Sequence, residues 1–95
     1  MEGGQVNDFI DAFSYQSVAV IFKGERYFSD GITSCSVGKY SFSVIKVNER
    51  GECLEDVYDF EGTSIPECIA AFENAPIWDG KTFWQAEQEM EWVDW

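Results

Sequence analysis

The chain has 95 residues, 45% hydrophobic and 17% aromatic, and its 18 acidic against 6 basic side chains give a net charge of −12. That length fits a single domain, residues 1–95, and the aromatic share excludes a disordered acidic tail. Basic groups are too scarce for direct binding to nucleic-acid phosphates or anionic membranes, and the longest apolar run, Val18 to Phe22, is far too short to span a bilayer.

The charge is lopsided. Residues 1–51 hold 6 acids and 5 bases, whereas residues 52–95 hold 12 acids and a single base, Lys81. Self-repulsion of that size costs stability, so it points to a positively charged partner more than to a need for solubility.

In chain order, the start MEGGQVNDFI has neither a basic cluster nor an apolar run, so no secretory signal is expected, and a cytoplasmic setting follows. Met1 to Val6, with two glycines, should be loose. Asn7 or Asp8 then caps a short helix whose apolar face is Phe9, Ile10, Ala12 and Phe13. Ser17 to Phe22 is a β-branched and aromatic run and reads as a strand. Lys23-Gly24-Glu25-Arg26 is a tight turn, Arg26-Tyr27-Phe28 returns antiparallel, and Asp30-Gly31 marks another turn.

Ile32 to Val37 is a short serine-rich segment ambiguous between strand and loop. After Gly38-Lys39, Tyr40, Phe42 and Val44 alternate with Ser41, Ser43 and Ile45, the period of a strand with one buried face. Asn48 to Gly51 is a hairpin loop. The returning strand, Cys53 to Phe60, sets Leu54, Tyr58 and Phe60 against Glu55, Val57 and Asp59.

The last third holds both prolines and all four tryptophans. Ser64-x-x-Glu67 is a capping-box pattern with Pro66 in the first turn, and Ile65, Cys68, Ile69 and Phe72 form one helical face. Asn74-Ala75-Pro76 ends that helix, because the residue before proline resists the helical region. Asp79-Gly80 is a turn, and Thr82-x-x-Gln85 repeats the capping box ahead of a stripe of Phe83, Ala86 and Met90, with Trp84, Glu87 and Glu91 around the other side. Residues 89–95 alternate well enough to form a strand, so the helix-to-strand boundary near residues 88–92 is left open. The fold class expected is α+β: an antiparallel sheet of four to five strands with two or three short helices packed on it.

Little catalytic chemistry fits. There is no histidine, the commonest general base and zinc ligand. Gly31 to Lys39 has the wrong spacing for a phosphate loop, with Tyr40 after the lysine. Asp56, Asp59 and Glu61 before Gly62 lack the order of a calcium loop. The cysteines, Cys35, Cys53 and Cys68, are widely spaced, with no C-x-x-C pair, and read as reduced thiols serving as small core residues. No enzyme, metal or cofactor is expected.

What the sequence offers instead is a surface. Five acids fall between Glu52 and Glu61 and four between Glu87 and Asp94, interleaved with tryptophans that two small helices cannot all bury. Acid clusters steer a basic partner, and tryptophans are preferred anchors in protein contacts. The candidate charge residues are Asp56, Asp59, Glu61, Asp79, Glu87 and Glu91, and the candidate anchors are Trp78, Trp84 and Trp95. Solvated acidic faces, with tryptophans closing one end of the core, are the structural alternative.

The tail IPECIAAFENAPIWDGKTFWQAEQEMEW, on a short acidic α+β chain, resembles the C-terminal halves of small immunity proteins of bacterial toxin systems, of the contact-dependent inhibition and nuclease-colicin kinds. The likeness is at the level of the class, covers roughly the last 30 residues, and carries no residue roles across. It implies a non-enzymatic inhibitor that blocks a cognate basic toxin, often a nuclease, in the cytoplasm. A DNA-mimic inhibitor of the anti-restriction or anti-CRISPR type is the second reading of the same charge. An adaptor subunit is a third, and a homodimer is left open.

Overall fold

The alternating segments between Val18 and Gly62 assemble into an antiparallel sheet in the computed structural model, which describes Met1 and residues 3–93. Helix α1 (Gly3–Phe13) leads into strands β1 (Val18–Phe22), β2 (Glu25–Ser29), β3 (Thr33–Ser36), β4 (Lys39–Val47) and β5 (Cys53–Gly62). Helices α2 (Ile65–Asn74) and α3 (Phe83–Ala86) follow, then a single 3-10 turn over Glu87–Glu89 and a last strand, β6 (Met90–Val93). The fold is α+β, with one strand more than the four to five expected. Among the described residues no helix is long and apolar enough to cross a membrane.

Strand β4 organises the sheet. One of its edges carries β5 along its whole length, and the other is shared by β3 and β2. Beyond β2 lie β1 and then β6, all antiparallel. Strands β2 and β3 are in effect one strand interrupted at Asp30–Ile32. There Gly31 takes a positive φ of 83°, and a Cβ at this position would lie 2.3 Å from the Gln16 carbonyl oxygen. Only glycine lets the chain pass that close to the end of α1, where the Ile32 N–H donates to the Phe13 carbonyl at 3.0 Å.

Two tight turns share an uncommon feature. Lys23-Gly24 and Asp79-Gly80 each place a non-glycine and then a glycine at positive φ, the pattern of a type I′ turn. The first joins β1 to β2, and the second is closed by the Trp78–Lys81 bridge. They meet through an ion pair, Lys23 Nζ to Asp79 Oδ2 at 2.7 Å.

All three helices pack on one side of the sheet. The core between the layers holds Val6, Phe9 and Phe13 of α1, Val18, Val20 and Phe22 of β1, Phe42 and Val44 of β4, Cys68 and Phe72 of α2, and Trp78, Phe83 and Met90. Its centre is aromatic: the Phe72 ring lies 4.4 Å from that of Phe13 and 5.2 Å from that of Phe83.

Local signals placed α2 well. Ser64 is its N-cap, accepting from the Glu67 N–H at 3.2 Å, while the Glu67 carboxylate accepts from the Thr63 hydroxyl. The helix stops at Asn74, as the following Ala75-Pro76 dictates. In the second capping box the Gln85 side chain accepts from the Thr82 N–H at 2.9 Å, but α3 lasts a single turn before the chain turns into β6 at Met90.

Three expectations need correction. Residues 3–6 are helical, not loose, because Val6 joins Phe9 and Phe13 in the core and that packing outweighs the glycines. Asn7 and Asp8 are therefore exposed interior positions of α1, not its caps. The alternation of β5 slips at two register shifts against β4, so Val57 packs toward the core beside Tyr58 and Leu54 is 57% exposed. Of the three thiols only Cys68 is a core residue; Cys35 and Cys53 are exposed, and all three are free.

Candidate functional site

The register of the sheet sorts the candidate residues by face. Because side chains alternate along each strand, residues opposite one another in the ladder share a side. Val20, Tyr27, Val44 and Tyr58 face the helices. Ala19, Phe28, Ile45 and Asp56 therefore face away, as do Ile21, Arg26 and Val47 in the next row. In the same way Ser43 stands beside Asp59 and Ser41 beside Glu61, while Glu91 and Val93 of β6 stand beside Ile21 and Ala19. Four of the six candidate carboxylates, Asp56, Asp59, Glu61 and Glu91, thus share the face of the sheet on which no described helix packs.

Three of these acids line the β5 margin and the fourth lies at the β6 margin. Glu61 is 3.9 Å from Lys39, whereas Asp56, Asp59 and Glu91 are in no ion pair among the described residues. The few bases are largely committed elsewhere. Lys46 reaches Glu55 at 3.4 Å and Glu25 at 4.0 Å, Arg50 reaches Glu52, and Lys81 reaches Glu89. On this face itself stand two bases, Arg26 beside Ile21 and Val47, and Lys39 beside Glu61, so its four carboxylates are compensated only in part from within the chain.

Between the acidic margins runs an apolar band that sequence reasoning missed: Val93, Ala19, Ile21, Ile45, Val47 and Leu54, with the half-buried Arg26 among them. Ala19 and Val47 are buried yet lie outside the aromatic core, which belongs to the other side of the sheet. A signal for the band was present in VAVIF, which is apolar at every position and so offers apolar side chains to both faces. Two grooves add relief. One, of about 380 Å³, opens where β2 gives way to β3 and is lined by Asp30, Ser41, Ser43, Asp59 and Glu61. The other, of about 290 Å³, runs beside Ile21, Arg26, Val47 and Leu54.

The remaining candidates lie elsewhere. Trp78 is 1% exposed and packs edge-on against Phe22 and Tyr27. Its indole nitrogen is buried without an acceptor among the described residues. As placed, it is a core residue and cannot anchor a partner. Asp79 is exposed, and the Lys23 ammonium beside it, through a hydrogen bond and its charge, holds the carboxyl below the ordinary aspartate value. Glu87 is mostly buried, 4.0 Å from the ammonium of Met1, which donates to the carbonyls of Glu87 and Met90. Trp84, on the helical side, is 47% exposed, but its N–H already donates to Glu73 at 2.6 Å. Trp95 lies outside the described residues.

Among the described residues no group of three or more Cys, Asp or Glu side chains is placed to hold a metal ion. The shifted titrations belong to structural contacts: burial raises the Tyr27 phenol and the Cys68 thiol, and Lys46 is raised chiefly by the charge of Tyr27 and a hydrogen bond to Glu55. The geometry offers a sheet face with an apolar band between acidic margins. No protein-family model, no curated protein and no solved structure matches this chain.

Proposed function

We propose that this protein is a non-enzymatic acidic inhibitor: an immunity protein that binds and neutralises a basic, nuclease-type bacterial toxin domain in the cytoplasm. The observation that carries the reading is the collection of Asp56, Asp59, Glu61 and Glu91 on one face free of described helices, where they outnumber its two bases, Arg26 and Lys39. A fixed array of like charge raises the encounter rate with a basic partner and rejects acidic ones. Nuclease domains are basic because they neutralise phosphates, so a carboxylate face competes for the same groups.

A DNA-mimic inhibitor is supported by one feature of the same face. Asp59 and Glu61 are spaced two residues apart on one strand, about 6.8 Å, in a row that resembles a run of phosphates. The apolar band beside that row favours a protein-specific contact over mimicry, since phosphate grooves are polar.

Co-expression with a toxin domain encoded beside this chain tests the proposal. Protection of the cells, a stoichiometric complex and loss of nuclease activity in that complex are the expected results. Displacement of DNA from several unrelated DNA-binding enzymes would replace this reading with mimicry, and failure to bind any basic protein would end both.

A further inference from the structure

The helix-free face carries more than charge. A sheet face turned permanently to water reads as polar at alternate positions, yet β1 and β4 place Ile21, Ile45 and Val47 there, and β5 adds the exposed Leu54. Apart from the half-buried Arg26, which stands between Ile21 and Val47, the centre is apolar and the margin acidic, the anatomy of a protein contact with a dry middle and a polar rim. We propose that this face, centred on Ile21, Ile45 and Leu54, is the seat of a single protein partner that presents an apolar patch inside a basic rim. The proposal rests on the reading of the protein as an inhibitor of a basic protein, and adds where the partner sits and what holds it.

Charge selects this occupant over a second copy of the chain. Face-to-face pairing of two copies requires a two-fold axis in the plane between the sheets. With that axis along the strands, Asp56 and Asp59 of one copy approach the Glu91 margin of the other. With the axis across the strands, the two β5 margins meet. Either way carboxylates face carboxylates, at a net charge of −12 per chain. A partner with lysines and arginines around an aliphatic or aromatic centre meets neither penalty. The gripping residues are then aliphatic, from the sheet, and not Trp78 or Trp84. Trp78 is buried in the core, and Trp84 lies on the helical side with its donor already used.

The test is photocrosslinking in the native cell, with the full chain carrying p-benzoylphenylalanine either at Leu54 or at Trp84. Ser43, exposed on the same face, serves as a second position, and each variant is checked by thermal melting before use. The expected result is one heterologous adduct with a basic protein from Leu54 and Ser43, at about tenfold the yield from Trp84. Asp56→Lys with Asp59→Lys should lower that adduct by about tenfold or more while the fold persists. An adduct between two copies of the chain, equal yields at both faces, or no effect of charge reversal overturns the docking face. A basic protein captured only through Trp84 overturns the face and leaves the inhibitor reading standing. A neutral or acidic protein at Leu54, or no adduct at any position, overturns the face and the inhibitor reading together.

Discussion

Replacing Phe72 by alanine should be among the most damaging single changes in the core. The side chain is 3% exposed, and its ring lies within 6.3 Å, centroid to centroid, of those of Phe9, Phe13, Phe42, Trp78 and Phe83. Losing a buried phenylalanine forfeits about 1.5–3 kcal/mol of transfer free energy. The void it leaves is walled by other rings held from α1, β4 and α3, which limits collapse, so the total should reach about 3–5 kcal/mol. A domain of this length has roughly 5–14 kcal/mol in all, so the variant keeps a folded state only if the parent lies in the upper part of that range. At about 4–8 °C per kcal/mol, the melting temperature should fall by at least about 12 °C. Urea titration followed by tryptophan fluorescence is the assay. A lower midpoint with an unchanged slope is expected, because the surface exposed on unfolding hardly changes. A loss below about 1 kcal/mol would mean that Phe72 is not the centre of the helix–sheet interface, and the packing described here would be wrong.

Further outcomes separate structural from surface roles. Trp78→Ala should destabilise the fold by about 3–5 kcal/mol, whereas Trp84→Ala should cost far less, both read by the same titration. A thiol-reactive dye should modify Cys35 and Cys53 in the native protein promptly and Cys68 only on unfolding, because Cys68 is buried and its thiol is raised by that burial. Asp79→Asn should lower the melting temperature slightly at neutral pH. The Asp79 carboxyl is lowered from 3.8 and the Lys23 ammonium raised from 10.5, so the stabilisation is present between those values. It is lost as pH falls through the folded value of Asp79 or rises through that of Lys23, and a melting difference that does not shrink as the pH is taken progressively below 3.8 would contradict the pairing. Both groups are exposed, so 1 M salt should also erase most of the difference.

Much of the fold was legible because its signals are local. The β-branched run of β1, the Ser64 cap, the proline after Ala75 and the turn glycines each fix a few residues by their own chemistry. Residues 3–6 were not legible, because glycine propensity argues against a helix and only the tertiary burial of Val6 overrides it. The register of β5 was hidden too: nothing in its own sequence announces the shifts against β4, and they decide that Leu54 faces outward and Val57 inward. For the candidate site, the sequence named carboxylates that fall on β5 and β6 but not the face they share, which depends on the pairing of strands far apart in the chain. Trp78 and Trp84 are six residues apart and look equivalent in sequence, yet one closes the core and the other meets solvent. The apolar band went unnoticed because Ile21, Ile45 and Leu54 come from three separate strands.

The central claim is that carboxylates on the helix-free face bring in a basic protein. Its most direct measurement is the association rate with the captured partner, as a function of ionic strength, for the parent chain and for Asp56→Asn/Asp59→Asn/Glu61→Gln. The parent rate should fall steeply with added salt, and the neutralised variant should start lower and show a clearly shallower dependence, with a smaller change in dissociation. Equal rates and equal salt dependence for the two, with both chains folded, would contradict it.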